Sequence, residues 1–315
     1  MENRHEYYIM MKWNAAVVFA LLVSSFLLTG ISVAEAGSKA DYRIYDTESG
    51  KLLSFDKLTK VSNNYDVVVF GEYHDNPALH RLERELLTAV YEQNANVAVS
   101  LEMFERDTQQ SLNAYLAGRV SEAAFLEQSR PWKNYESDYR PLAEFAKAEG
   151  LPVIAANIPR SLAAHYARHG TLEAVEETMR QYLPRIHSAP DGEYRQRFFG
   201  QMQAMSQKHS AMPVTESQME AFYRAQCLKD DTMAESILDH HRRYPARTII
   251  HYQGDFHSRY RLGVVEKLQA LAPELKILVI TPAYVDQFVK LSDKARSLQA
   301  DGDIVIFLEQ KELSR

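Results

Sequence analysis

Six short runs of consecutive apolar residues recur along this chain, and the segments between them carry helical spacing. The runs lie at residues 67–70, 97–101, 152–156, 248–252, 277–280 and 304–307. Continuous apolar runs of this length are typical of strands that are covered on both faces, and such strands pair in parallel with helices on either side. The sequence therefore predicts an α/β fold with a mainly parallel sheet core and flanking helices.

Two helical segments have recognisable starts. After the first run, Asp75 or Asn76 is suited to cap a helix, and Pro77 suits its first turn. Further along, Asp230 and Asp231 precede a Thr-Met-Ala-Glu sequence, which is the spacing of a capping box and predicts a new helix start.

The domain organisation follows from the same pattern. Residues 157–246 carry helical spacings and no strand signal, so we interpret them as a mostly helical insertion. The segment 37–315 is then a single α/β domain that contains this insertion.

The first 36 residues are predicted to be a signal peptide. Lys12 precedes an apolar stretch at 15–28, and Ala34-Glu35-Ala36 supplies an A-x-A cleavage site. Ile31 stands where lipid attachment would require cysteine, so we expect no lipid and no stable membrane anchor. The mature chain is accordingly expected to be soluble and periplasmic or secreted.

Charge and cysteine content exclude several classes of function. The chain has 36 Lys and Arg against 42 Asp and Glu, a net charge of −6, so we expect no nucleic acid as a partner. Its single cysteine, Cys227, permits no internal disulfide and is expected to be buried. A thiolate zinc site is excluded, which leaves His, Tyr, Asp and Glu as metal ligands.

Side chains that bind metals or transfer protons follow four of the predicted strands. Because the carboxyl ends of parallel strands lie on one edge of a sheet, we expect these side chains to form one ligand site. The candidate residues are Glu72, Tyr73, His74, Glu102, Asn157, Asp255 and His257.

Tyr73 has two equal interpretations, a packing residue or the ligand of a haem iron, and the second would make haem the cofactor. A phenolate is a hard anionic ligand that suits ferric haem. An unperturbed phenol has a pKa of about 10, so ionisation needs help from a neighbour, for which His74 and His257 are the candidates. Either histidine is also an alternative iron ligand, and a packing role is the alternative for Tyr73.

Five ordered motifs between about Asp66 and Pro282 resemble those of the ChaN-like haem-binding proteins. The motifs are Gly71-Glu72-Tyr73-His74-Asp75-Asn76-Pro77, Leu101-Glu102-Met103-Phe104-Glu105-Arg106, Ala155-Ala156-Asn157-Ile158-Pro159-Arg160, the segment from Cys227 to Ile237, and Gln253-Gly254-Asp255-Phe256-His257-Ser258. The resemblance implies a haem-binding protein of bacterial haem or iron uptake. It also implies a homodimer that holds two haems face to face at its interface, with transport components as further partners.

A second function class stays open. The resemblance extends to Tiki-type metalloproteases and erythromycin-esterase-like enzymes, so a metal-dependent hydrolase is the alternative. In that case Glu72, His74, Glu102 and His257 would assemble a centre that activates water. No His-Glu-x-x-His sequence accompanies them, so an enzyme is the less favoured expectation. A plain interaction module would bind neither haem nor metal.

Overall fold

The computed structural model describes residues 41–208, 214–288, 291, 297–298 and 300–310. The predicted signal peptide lies outside these residues. None of the helices in the described ranges is long and apolar enough to cross a bilayer.

An eight-stranded sheet forms the centre of the molecule, with the strand order β2-β1-β8-β7-β3-β6-β4-β5. Its strands are β1 (Tyr42–Asp46), β2 (Lys51–Leu53), β3 (Val67–Glu72), β4 (Val97–Glu105), β5 (Val153–Asn157), β6 (Thr248–Gly254), β7 (Ile277–Val285) and β8 (Ile304–Glu309). The neighbours among β3 to β8 pair in parallel, whereas β1 pairs antiparallel with both β8 and β2. The predicted α/β class with a mainly parallel sheet is confirmed.

The two antiparallel strands at the sheet edge have no counterpart in the sequence prediction. Strand β1 has only two buried residues, Ile44 and Tyr45, and β2 has only three residues, two of them exposed. An edge strand of this kind lacks the continuous apolar run by which the buried strands are recognised.

Helices cover both faces of the sheet. The helices are α1 (Phe55–Ser62), α2 (Pro77–Gln93), α3 (Gln109–Leu116), α4 (Glu122–Ser129), α5 (Arg140–Ala148), α6 (Arg160–His169), α7 (Glu177–Arg180), α8 (Glu193–Lys208), α9 (Glu216–Arg243) and α10 (Val264–Leu271). Leucines of α2 pack with Phe70 and Leu101 on one face of the sheet. On the other face, Met233 and Ile237 of α9 pack with Val69. Each layer buries the apolar side of its helices.

The start of α2 follows the sequence prediction. Asn76 caps the helix, since its side-chain oxygen accepts hydrogen bonds from the backbone N–H groups of Ala78 and Leu79, and Pro77 occupies the first turn. This cap fixes the point at which the chain leaves β3, and therefore the place of residues 73–75 above the sheet.

The predicted helix start at Asp230 and Asp231 is wrong. Both residues lie in the interior of α9, which begins with a capping box at Thr215 and Gln218. The hydroxyl of Thr232 donates to the carbonyl of Leu228 one turn earlier, as it does inside a continuous helix. The two carboxylates bind side chains from other elements and do not cap a helix N-terminus.

The strand order decides where a site can lie. β6 lies between β3 and β4, although both precede it by more than 140 residues, and the connection into β6 runs through α6 to α9. The carboxyl ends of β3, β6 and β4 are therefore neighbours. Such a change of strand order is where open α/β sheets bind ligands.

Candidate functional site

The carboxyl ends of β3, β6 and β4 bring three carboxylate-bearing segments together. Glu72 ends β3 and lies opposite Gly254 of β6. The backbone N–H of Gly254 donates to Oε2 of Glu102 in β4 at 2.8 Å. Glu72 and Glu102 are both almost fully buried. Buried carboxylates are stable only with partners, and the next residues supply them.

His74 is held by Glu72 and remains open to solvent. Its Nδ1 lies 2.5 Å from Oε1 of Glu72, and the Tyr139 hydroxyl donates to the same oxygen at 2.7 Å. The His74 side chain is nevertheless 44% exposed. Burial lowers the pKa of His74, but the bond and charge of Glu72 with the charge of Glu102 outweigh it, so the net pKa is raised. An N–H donated to Glu72 leaves Nε2 with a lone pair.

Gly254 leaves room for this imidazole. A Cβ atom at this position would lie 2.7 Å from Nε2 of His74 and 3.7 Å from Oε2 of Glu102. Both side chains therefore face the same point above the end of β6. The missing side chain of Gly254 creates the space in which a nitrogen and a carboxylate meet.

His257 has the opposite environment to His74. Its Nδ1 is 2.5 Å from Oδ1 of Asp230 in α9, and its Nε2 is 3.3 Å from Oε1 of Glu102. The side chain is 7% exposed. Burial lowers the pKa of a histidine, but the two carboxylates outweigh this and raise it to about 10. His257 is thus a buried cation between two anions.

Glu102 is ionised by the same arrangement. Burial raises the pKa of this carboxyl group, but the charge and hydrogen bond of His257, with the charge of His74, lower it below its ordinary value. Glu102 therefore connects the two histidines electrostatically.

Tyr73 packs beside the site instead of pointing into it. Its hydroxyl donates to the carbonyl of Pro282 at 3.0 Å, and its ring stacks on Tyr284 with centroids 5.0 Å apart. Burial raises the pKa of Tyr73 to about 12, although Arg259 acts in the opposite direction. The phenol is accordingly a hydrogen-bond donor in this conformation.

Asp255 anchors the loop that follows β6. Its carboxylate accepts hydrogen bonds from the Thr281 hydroxyl and, at 2.6 Å, from Nε of Arg259. Burial raises the pKa of Asp255 to about 6 even though Arg259 and Thr281 lower it. Because Arg259 also bonds the carbonyl of Pro282, Asp255 positions the segment that holds Tyr73.

Asn157 lies apart from the other candidates. It ends β5, the strand beyond β4, and its side-chain oxygen accepts a hydrogen bond from the backbone of Ile158. Among the described residues, its hydrogen bonds do not link it to Glu72, His74 or His257. The structure therefore gathers six of the seven candidates around the ends of β3, β4 and β6.

Three site residues were not among the sequence candidates. Tyr139, from a short helical turn before α5, bonds Glu72, and Asp230 of α9 bonds His257. Arg259 bonds Asp255. Tyr139 and Asp230 do not follow a strand, so the strand-end criterion could not select them, and Arg259 lies beyond His257 in the segment after β6. Asp230 could have been selected from the sequence, because it lies among apolar positions of a helical segment. A carboxylate that is buried in this way needs a partner.

The site can hold a metal-containing ligand at His74, whose side chain is 44% exposed. Nε2 of His74 is an imidazole nitrogen whose ring is oriented by a carboxylate, and this is the usual arrangement of a metal-binding histidine. Trp132 lies edge-on against His74 with centroids 4.9 Å apart, so aromatic surface adjoins the nitrogen. Imidazole is also a common axial ligand of haem iron. The donor set therefore fits haem.

Fold and site together define an α/β protein with a cluster of ionisable side chains at the carboxyl edge of its sheet. The chain belongs to the family described as haem-binding uptake, Tiki superfamily, ChaN, which matches residues 58–268. A search of curated protein sequences finds no match.

Several solved structures share the fold at low sequence identity. ChaN of Campylobacter jejuni, described as showing cofacial haem binding, is 18% identical with a TM-score of 0.64, covering 85% of this chain and 97% of that one. An erythromycin esterase is 14% identical with a TM-score of 0.47, covering 78% and 79%. A Bacillus cereus protein is 9% identical with a TM-score of 0.49, covering 82% and 92%. Likeness at this level concerns the fold alone.

Proposed function

We propose that this protein binds haem at the carboxyl edge of its sheet, with Nε2 of His74 as a ligand of the iron. The observation that carries the proposal is an exposed imidazole oriented by the buried Glu72, in a member of a haem-binding uptake family. Glu72 holds the ring, Glu102 contributes negative charge beside it, and the porphyrin packs on nearby aromatic surface. A bound haem would supply an iron centre that His74 could ligate through its imidazole.

Tyr73 and His257 are the competing iron ligands. For Tyr73 to ligate iron, its phenol must leave the carbonyl of Pro282 and lose a proton against a pKa of about 12. His257 would have to leave two buried carboxylates. His74 needs neither rearrangement, which is why we place it first.

The biological setting forms part of the proposal. Cofacial haem binding is described for ChaN of Campylobacter jejuni, and this supports a homodimer in which two haems face each other. We propose a periplasmic protein of haem or iron uptake that delivers haem to transport components. Sedimentation with and without haem tests the dimer, and fractionation of cells that express the full chain tests the location.

Titration of ferric haem into wild type and two variants tests the ligand. His74→Ala is expected to shift the Soret band and to weaken binding at least about tenfold, since one axial bond is lost. Tyr73→Phe is expected to keep the wild-type spectrum. His169→Ala, which removes an exposed histidine at the end of α6, is the matched control.

The outcomes separate the ligands and test haem binding itself. An altered spectrum in Tyr73→Phe with an unchanged one in His74→Ala makes Tyr73 the ligand. Absence of saturable binding by wild type refutes the haem proposal.

A metal-dependent hydrolase is the second candidate, and one observation favours it. His74 and Glu102 face the same point above Gly254, beside the charged pair of His257 and Asp230. Such a cluster can hold a metal and move a proton. Turnover of peptide or ester substrates that is abolished by His74→Ala would establish it.

A further inference from the structure

A second cluster of donor atoms lies beneath the site, on the buried side of Glu72. Nδ1 of His80 in α2 is 3.4 Å from Oε2 of Glu72 and 3.1 Å from Oε2 of Glu83. One donor atom from each of the three residues lies within 4.8 Å of the others. Glu72 and Glu83 are at most 2% exposed, and His80 is 7% exposed.

The hydrogen bond of Nε2 in His80 determines the protonation of Nδ1 in the neutral ring. Nε2 lies 3.2 Å from the backbone carbonyl oxygen of His74. A carbonyl only accepts, so Nε2 carries the hydrogen, and in the neutral ring Nδ1 is a lone pair. This lone pair is directed at two carboxylates, which are acceptors as well. In this neutral state three acceptors face one another, so either a metal cation or a bound proton must lie between them.

Two oxygens of the cluster also lack partners. Among the described residues, Oε2 of Glu72 and Oε1 of Glu83 are buried without a hydrogen-bond donor. Burial, followed by the charges of Glu72 and Asp138, raises the pKa of Glu83 well above its ordinary value. Unpaired carboxylates at this depth are costly.

We propose that Glu72, His80 and Glu83 bind one divalent first-row transition metal ion. Two carboxylates and one imidazole match the ligand preferences of Mn²⁺, Fe²⁺ and Zn²⁺. A histidine that donates its other N–H to a backbone carbonyl has the usual orientation of a metal ligand. Protons bound within the cluster, on Nδ1 of His80 or between the two carboxyl groups, are the competing explanation, and direct measurement of metal binding distinguishes the two.

The metal would connect to the haem site through a single carboxylate. Oε1 of Glu72 bonds His74, while Oε2 faces the metal cluster. The two sites use different atoms of Glu72, so the metal fixes the carboxylate that orients His74. The proposal does not depend on haem, because all three ligands are assembled in the chain itself.

Metal binding to haem-free, untagged protein tests the proposal. The probes are Zn²⁺ and Mn²⁺, each alone, measured by calorimetry and by elemental analysis after gel filtration. Wild type is expected to bind one ion per chain, and metal at 100 times its Kd should raise the Tm by about 5 °C. His80→Asn and Glu83→Gln should each weaken binding by at least about 100-fold.

Controls keep the test independent of misfolding and of surface histidines. Glu83→Gln keeps the shape of the side chain and cannot carry a negative charge, so the metal-free protein should keep at least the wild-type Tm while metal binding is weakened. His187→Asn removes an imidazole bonded to Asp231 at 2.7 Å outside the cluster and should bind metal like wild type. Stoichiometric binding that persists in both cluster variants overturns the proposal. Failure of wild type to bind either ion overturns it as well, whatever the result with haem.

Discussion

Two neighbouring loops of this protein share a local sequence pattern but place their histidines in opposite environments. Gly71 to His74 ends β3 and Gly254 to His257 ends β6, and each loop reads glycine, acid, aromatic residue, histidine. The strands are parallel neighbours. His74 is exposed and bonds an acid of its own loop, whereas His257 is buried against acids from β4 and α9.

The difference between the loops comes from the elements that cover them. Helix α9 lies over the β6 loop and supplies Asp230, so His257 becomes a buried cation. The β3 loop keeps an open side, so His74 retains an available nitrogen. The same four-residue pattern therefore forms a buried ion pair in one loop and, in the proposed function, binds a ligand in the other.

Removal of His257 is expected to have the largest effect. His257→Asn leaves Glu102 and Asp230 buried without a cation, so the free energy of unfolding should fall by about 3–5 kcal/mol. His74→Asn, the same change in the other loop, should cost about 1 kcal/mol or less because the ring is exposed. Urea unfolding of both variants measures the contrast. Equal losses would mean that the two loops do not differ as described.

The pH dependence of stability should report the same cation. The pKa of His257 is about 10 in the folded chain and about 6.5 in an unfolded one, so folding takes up a proton between these values. This stabilisation is complete below about pH 6.5 and is lost as the pH rises through 10. The difference in the free energy of unfolding between wild type and His257→Asn should therefore decrease by about 2–4 kcal/mol from pH 7 to pH 10.

Urea unfolding at several pH values measures this decrease. His251→Asn is the control, because His251 is also buried in β6 but its pKa is lowered to about 4, chiefly by burial. This variant should keep the wild-type dependence between pH 7 and pH 10. A constant difference for His257→Asn would contradict the charged state of His257.

The two glycines should separate stability from ligand binding. In Gly71→Ala the new Cβ would lie 3.0 Å from the backbone Cα of Asp255, so the strands must shift, at a cost of about 1–3 kcal/mol. In Gly254→Ala it would meet the outer end of the His74 ring. That ring can rotate away, so we expect a loss of about 1 kcal/mol or less together with weaker haem binding.

Unfolding curves and haem titrations of both alanine variants distinguish the two effects. A Gly254→Ala protein that binds haem like wild type would show that the position of His74 is not important for binding.

Tyr73→Phe should give the smallest change in stability. The variant loses the hydrogen bond to Pro282 and keeps the stack on Tyr284, so the expected cost is about 1 kcal/mol. Urea unfolding of the haem-free protein measures it. A loss above about 3 kcal/mol would indicate that the phenol has a larger role in holding the β7 segment.

The sequence predicts the parts of this molecule that depend on local pattern. The six parallel strands are recognisable because burial on both faces requires continuous apolar runs. Most candidate site residues could be predicted because they come directly after these strands in the sequence. The sequence does not show that β6 enters between β3 and β4, so it could not assign different environments to His74 and His257.

Residues contributed by helices are harder to predict. The sequence places Asp230 at a helix start because the residues after it have the spacing of a capping box. His80 and Glu83 lie on the buried face of α2 beside Leu79 and Leu82. An ionisable pair within a leucine stripe is the signal that could have found them.

The place of β6 in the sheet also has a kinetic consequence. Strands β3 and β4 are synthesised early but do not pair with each other, because each bonds to β6, which begins only at Thr248. Until that strand is made, the edges of β3 and β4 that will pair with β6 have no partner and are exposed to aggregation. Pairing across such long separations is slow. The cluster around Glu72, His74 and Glu102 is therefore completed late, and a nascent chain that ends before the β6 loop lacks His257.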